Sequence, residues 1–369
     1  MANLNVLIDE YLSREMQSLL YLLGSWGERS SHKVFAAGEF IFELLRGKET
    51  KKVNLVVVDS AVEFAQSLTK LLPGKLETQE KMGTATLRLQ GNYHVEFDMV
   101  TAQKDILYAF SEKTDLIENA LKNELYKHDF TVFTMACALN SGSFGKLFDF
   151  FGGYRDFQEG IIKTLYNLSF VDNPCRILRA VRVEQNTGFK IEEETFSFLK
   201  SAVKKRLLER ISREQINAEI RAILKGPSPA GIFTRLQELK IFKRMFPRVN
   251  YTPELNKRLL GIEDILKKQA EGSLVTGYNA FILYISALFF DLPEHDIKYL
   301  SYLLRLKKRE YSALCSTIEN ASLILHEAEK DYWNWEKIPT ESMILAYVLA
   351  DDRNMLGDYV VNYVDSLLK

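Results

Sequence analysis

The sequence predicts a small α/β head followed by a long all-helical body, and three observations carry that reading. Strand-type and helix-type segments alternate only up to about residue 155. Beyond it, the periodic stretches repeat at helical spacing. A Gly-Pro-Ser-Pro run, Gly226 to Pro229, then breaks the helical part. The expected division is an N-terminal helix over 1–30, an α/β head over 31–155, a helical neck with a basic face over 156–225, and a helical body and tail over 226–369.

The opening stretch, Leu7 to Trp26, is apolar at helical spacing and ends in Gly24 and Gly27, so one amphipathic helix is expected. A strand over Lys33 to Ala37 leads into Gly38, and a helix over Phe40 to Arg46 stops at Gly47. Next come a strand Val53 to Val58, a helix Ala61 to Leu72 and a turn at Pro73-Gly74. The alternating segments Thr84 to Leu89 and His94 to Val100 are joined through Gly91-Asn92, as in a hairpin. Helices are then expected over Ile177 to Asn186, Glu193 to Val203, Arg213 to Leu224 and Ala230 to Leu239, with more from about Pro253 onward.

At 369 residues, 47% hydrophobic and 26% charged, the chain has material for two or three globular domains. The overall charge is −1, yet Arg176 to Arg248 carries seventeen Lys/Arg against eight Glu and no Asp. A basic middle on an otherwise acidic molecule is the footprint of a backbone-binding surface, with a solvated helical face as the plain alternative. Cys137, Cys175 and Cys315 are far apart and odd in number, which gives neither a disulfide framework nor a CxxC metal site and points to a reducing cytoplasm. No apolar run approaches the roughly 18 residues of a membrane helix, so no membrane partner is expected.

Seven segments, in order, resemble the tRNA nucleotidyltransferase and bacterial poly(A) polymerase family, the class II CCA-adding and A-adding enzymes. AAGEFIFELLRG (Ala36 to Gly47) resembles the family's VGGxVRDxLLG, and VNLVVVDSAVEFA (Val53 to Ala65) resembles its DxDLVV strand and following helix. KMGTATLRL (Lys81 to Leu89) resembles FGTATV, and DMVTAQKD (Asp98 to Asp105) resembles DxxTARxE. KHDFTVFTMACAL (Lys127 to Leu139) resembles RRDFTxNAMA, and DFFGGYRD (Asp149 to Asp156) resembles DPFGGxxD. FVDNPCRILRAVRVEQNTGFKI (Phe170 to Ile191) is similar to FxEDPxRILRAxRFxxRxGFxI. The resemblance implies a nucleotidyltransferase-type mixed sheet in the head and a helical neck and body that cradle tRNA.

In nucleotidyl transfer, Mg²⁺ bridges the triphosphate and the attacking hydroxyl, and strand carboxylates at i and i+2 hold it from one face. The resemblance places that metal pair on Lys52 and Asn54, with Asp98 as the carboxylate of the neighbouring strand. Asp98 is thus the remaining catalytic candidate, with Asn54 and Asp98 as the remaining metal positions. An ammonium where Mg²⁺ needs a carboxylate reverses an interaction of roughly 8 kcal/mol at 4 Å and an effective dielectric near 20. The phosphate-binding turn carries Glu39 for its second Gly and Phe42 for its Arg, and the TAR arginine is Gln103. Nucleotide-binding positions fall on Gly38, Lys127, Asp129, Asn173, Arg176 and Arg179, with Asn173 in place of a base-reading Asp. The family's neck helix falls on Lys204 to Ile220, with Lys204, Lys205, Arg206, Arg210 and Arg213 as RNA-binding candidates, or as a solvated face with pairs such as Glu209 and Arg213.

Retained scaffold with lost metal ligands is the pattern of a pseudoenzyme. The leading expectation is a cytoplasmic protein that binds structured, tRNA-like RNA, alone or beside an active paralogue. The first alternative is an active RNA nucleotidyltransferase using Mg²⁺ and ATP or CTP, with Asp98 joined by Asp59 or Glu96 around a displaced metal. The second is a protein-interaction scaffold. Glu294-His295-Asp296 lacks the further ligands of an HD phosphohydrolase, Gly142 to Lys146 lacks the spacing of a P-loop, and Trp333 and Trp335 near Tyr332 read first as packing.

Overall fold

The structure, a computed structural model, describes residues 3–89, 94–104, 115–272, 278–327, 335–350, 356 and 358–367. The expected Gly91-Asn92 turn and Trp333 lie outside them. The chain forms two compact units, Met1–Asn167 with Lys190–Thr195, and Leu168–Phe189 with Phe196–Lys369.

The first unit runs α1 (Asn5–Tyr11), α2 (Arg14–Arg29), β1 (Val34–Ala37), α3 (Glu39–Leu45), β2 (Lys52–Val58), α4 (Ala61–Leu68), β3 (Gly74–Gln79), β4 (Thr84–Leu89), β5 (Glu96–Ala102), α5 (Leu116–Leu125), β6 (Met135–Ala138), β7 (Leu147–Asp149), α6 (Gly153–Gln158) and β8 (Ile161–Ile162). Seven strands pair in the order β3-β4-β5-β2-β1-β6-β7. Only β2 and β5 run parallel, with Lys52 opposite Glu96 and Asn54 opposite Asp98. Period-2 geometry sorts β2 cleanly. Val53, Leu55 and Val57 enter the core that α1 to α4 cover, and Val56 and Val58 enter the second core under α5. Lys52 and Asn54 share that second face at the strand's open end.

Several expectations need correction. The opening segment is two helices, because Ser13 leaves the helix and caps α2 by accepting from the Met16 N–H. Glu49 fixes the break, accepting from the Ser13 N–H and hydroxyl at 2.8 and 2.9 Å. Both helices pack into the head's core, so residues 1–30 are not a separate segment. Gly24 and Gly27 lie inside α2, where a Cβ on Gly24 would come within 1.8 Å of the Leu139 carbonyl oxygen. The helix after Ala61 stops at Leu68, and β3 was not expected at all. As an edge strand, β3 exposes Lys75, Glu77, Thr78 and Gln79, which blunts the edge but erases the apolar signal. Past residue 155 a two-residue parallel pair, β8 with β9 (Lys190–Ile191), closes onto the first unit.

The second unit is helical: α7 (Ser169–Asp172), α8 (Cys175–Thr187), α9 (Glu193–Lys204, counted here from Phe196), α10 (Arg213–Lys225), α11 (Pro229–Glu238), α12 (Phe242–Met245), α13 (Pro253–Gly272), α14 (Ala280–Phe289), α15 (Glu294–Leu303), α16 (Lys308–Glu327), α17 (Thr340–Leu349) and α18 (Asp358–Leu367). Lys204 to Ile220 is not one helix. Arg206 turns left-handed at φ 57°, a short 3₁₀ turn follows, and Ser212 opens α10 with a capping box to Gln215. No helix among the described residues is long and apolar enough to cross a membrane.

An Ala at an exposed helical Gly stabilises by about 1 kcal/mol. At Gly24 the sign should invert, since the new methyl meets backbone. Gly24→Ala is expected to lower unfolding stability by about 1–3 kcal/mol in urea titrations.

Candidate functional site

The site begins at the open ends of β2 and β5. Their register puts the Lys52 Nζ 2.6 Å from Asp98 Oδ2 and 3.6 Å from Glu96 Oε1. The other Asp98 oxygen accepts from the Thr86 hydroxyl at 2.8 Å, across the β4–β5 pair. Both Asp98 oxygens are therefore engaged. The ladder continues outward, with Arg88 binding Glu96 at 2.6 Å and Glu77 at 2.9 Å, and Lys75 binding Glu77 at 2.7 Å. Six side chains of alternating sign thus cross four adjacent strands. The hydrogen bonds from Lys75 and Arg88 hold the Glu77 carboxyl down to about 2. Burial works against the Lys52 charge, but the Asp98 hydrogen bond and the attraction of Asp98, Glu96 and Glu39 outweigh it, so its pKa is raised.

Gly38 precedes α3 at φ 66°, a backbone region that favours glycine, and a Cβ there would meet His128 Cε1 at 2.9 Å. Glu39 opens α3 and adds negative charge toward Lys52. Phe42 turns into the core at 1% exposure, edge-on to Phe133 at 5.0 Å and to Phe157 at 5.6 Å. Phe133 occupies the Asn position of RRDFTxNAMA, a departure that motif reading missed. The two departures meet edge-on in the core.

Asn54, Asp98, Thr84, Thr86 and His128 line one cleft of about 310 Å³. Lys127 instead lines a larger cleft of about 990 Å³ with Gln103 and Lys104, and its ammonium binds Glu124 at 2.5 Å. Asp129 is half-buried in the turn after α5. Asp59 is bonded to Lys104 at 2.8 Å, and Glu96 is held by Arg88 and Lys52. Among the described residues no group of three or more His, Cys, Asp or Glu could hold a metal ion.

Retained motif residues do structural work. Asp149 accepts from the Phe151, Gly153 and Tyr154 N–H groups, and buried Asp156 accepts from the Thr131 hydroxyl at 2.6 Å. A Cβ on Gly153 would lie 2.2 Å from the Thr131 carbonyl oxygen. Burial pushes the Cys137 thiol up to about 12, so it is chemically inert.

In the second unit, Asn173 Oδ1 accepts from the Cys175 N–H at 3.2 Å and so helps start α8. Arg176 is buried and donates to the Ser169 carbonyl and hydroxyl, tying α7 to α8. Arg179 binds buried Glu219 of α10 at 2.6 Å, with Arg182 at 3.6 Å from its other oxygen. Lys204, Lys205, Arg206, Arg210 and Arg213 are all exposed around the break between α9 and α10. The expected Glu209–Arg213 pair does not form. Glu209 pairs with Arg244 and more loosely with Arg206, because the extended Ile211 and Ser212 separate the 3₁₀ turn from α10 and remove the i,i+4 relation. In α15, His295 is exposed and lies 3.6 Å from Asp296.

Two family models match the chain. The Poly A polymerase head domain matches residues 34–163, and the probable RNA and SrmB-binding site of polymerase A matches residues 188–252. The chain belongs to the tRNA nucleotidyltransferase and poly(A) polymerase family. It is 29% identical over 288 residues to the A-adding tRNA nucleotidyltransferase of Geobacter sulfurreducens, covering 78% of this chain and 32% of that protein. The A-adding enzyme of Halalkalibacterium halodurans is 28% identical over 246 residues, 66% of this chain and 57% of that one. The chain therefore spans about a third to just over half the length of these curated relatives. The structure of the Thermotoga maritima CCA-adding enzyme complexed with tRNA is 28% identical with a TM-score of 0.70, covering 100% of this chain and 86% of that one. A CCA-adding enzyme complex with ATP gives a TM-score of 0.73 at 28% identity, over 99% and 85%.

The tRNA nucleotidyltransferases are metal-dependent, and the residues present here do not fit Mg²⁺. Asn54 offers one neutral oxygen where the ion takes carboxylates. Asp98 is already bonded to an ammonium and a hydroxyl. The Lys52 ammonium lies against Asp98 and Glu96, with the Glu39 charge drawing it the same way.

Because the folded pKa of Lys52 is raised, its contribution to stability is complete below the ordinary lysine value of 10.5 and fades as pH rises through the higher folded value. The stability difference between wild type and Lys52→Met, measured by urea titration, is expected to hold steady from neutral pH to 10.5 and to shrink above it.

Proposed function

We propose that this chain is an RNA-binding member of the tRNA nucleotidyltransferase family that engages structured, tRNA-like RNA and no longer transfers nucleotides to it. The observation that carries the reading is the Lys52 ammonium seated on Asp98 at 2.6 Å. An active site of this family needs two or more carboxylates converging on Mg²⁺, and here one carboxylate remains and is neutralised. A triphosphate would also meet Glu39 at the turn that should receive it, at a cost rather than a gain.

The RNA side rests on different residues. Lys204, Lys205 and Arg210 are exposed, make no ion pair with a described residue, and fall within the segment matched as an RNA-binding site. Free cations at this spacing suit phosphate contacts, which position an A-form helix without reading its bases. The active alternative loses its support residue by residue: Asp59 is tied to Lys104, and Glu96 to Arg88 and Lys52.

The test pairs two assays on tRNA lacking its 3′ end: incorporation of labelled ATP and CTP with Mg²⁺ or Mn²⁺, and filter binding of the same RNA. Salt-dependent binding without incorporation is expected. Lys204→Glu/Lys205→Glu/Arg210→Glu should flatten the slope of log affinity against log salt by about 2 units. Metal-dependent addition that disappears in Asp98→Asn would overturn the proposal.

A further inference from the structure

Two tyrosines on the helical unit stand outside every motif and outside the matched RNA-binding segment. Tyr299 and Tyr302 lie one turn apart on α15, on the same face, at 44% and 70% exposure. A single exposed ring is ordinary on a protein surface. Here each ring carries an arginine from a different part of the chain. The Arg213 guanidinium of α10 lies 5.1 Å from the Tyr302 ring centre, and the Arg248 guanidinium lies 5.5 Å from that of Tyr299.

Those arginines give the surface its direction. Arg213 and Arg248 both belong to residues 188–252, the segment matched as an RNA-binding site. Asp296 holds Arg248 at 3.5 Å, and Glu214 holds Arg305 just past the end of α15. The face thus offers two exposed aromatic rings, each with a guanidinium against it, beside the Arg248–Asp296 and Arg305–Glu214 pairs. Base-paired RNA has no free base faces to give such rings. Unstacked bases of a loop do, and they stack on tyrosine while the flanking phosphates meet arginine.

We propose that Tyr299 and Tyr302 form a stacking platform for the unpaired bases of an RNA loop, reached from the exposed basic residues at the break between α9 and α10 through Arg213. The proposal rests on the RNA-binding reading above and adds a second mode to it: backbone contact through Lys204, Lys205 and Arg210, and base stacking through the tyrosines. Arg213 and Arg248 act as positioning residues that orient the rings and neutralise the adjoining phosphates.

The experiment compares two RNAs by fluorescence anisotropy: a hairpin with an unstructured loop, and the blunt duplex of the same stem. Wild type should bind the hairpin more tightly than the duplex. Tyr302→Ala should weaken the hairpin about tenfold or more and leave the duplex unchanged, and Tyr299→Ala should act in the same direction. Tyr302→Phe keeps the ring and should keep the affinity. If wild type binds neither RNA, the RNA-binding reading itself falls and the platform with it. If both RNAs bind and Tyr302→Ala changes neither, or weakens both equally, the platform alone is overturned.

Discussion

The ion pair between Lys52 and Asp98 is the constraint on which the head's chemistry depends. It joins the only parallel strand pair of the sheet, at the strand position that matches the aspartates of the family's DxDLVV motif. A lysine ammonium is a fixed single charge on a tether, and it saturates the carboxylate it touches. The pair does not act alone. Glu96, Arg88, Glu77 and Lys75 extend it across β5, β4 and β3, so the face is neutralised from within and has no net demand for an external cation. An exposed pair of this kind contributes little by itself, and a connected network is where such pairs become organising.

The departures from the family pattern are coordinated. Phe42 and Phe133 replace two polar motif positions and meet edge-on in the core. Together they make a dry contact that supports α3 and the turn at Gly38. Asn173 and Arg176 have likewise become parts of the joint between α7 and α8. What remains of the family motifs is mostly what the backbone needs.

How much of this was legible in the sequence follows from local physics. β2 and β4 were legible because Val53 to Val58 is a continuous apolar run and Thr84 to Leu89 alternates. β3 was not, since an edge strand with Lys75 and Glu77 carries no apolar period. The break at Ser13 was hidden because apolar residues continue on both sides of it, and Gly24 looked like a terminator when its role is close packing against Leu139. The break between α9 and α10 hinges on Arg206 adopting a left-handed turn, which residue type alone does not signal. At the site, the loss of the aspartates was visible in Lys52 and Asn54. Where the Lys52 ammonium rests, and that Phe42 finds Phe133, depends on sheet register and on contacts between distant segments.

The most direct test of the account is the binding of Mn²⁺ to the head, followed by electron paramagnetic resonance in wild type and in Lys52→Asp/Asn54→Asp. If the ammonium holds the cation's place, wild type leaves Mn²⁺ free in solution, and the double variant, with two carboxylates restored beside Asp98, binds it. Mn²⁺ bound by wild type and released by Asp98→Asn would contradict the account.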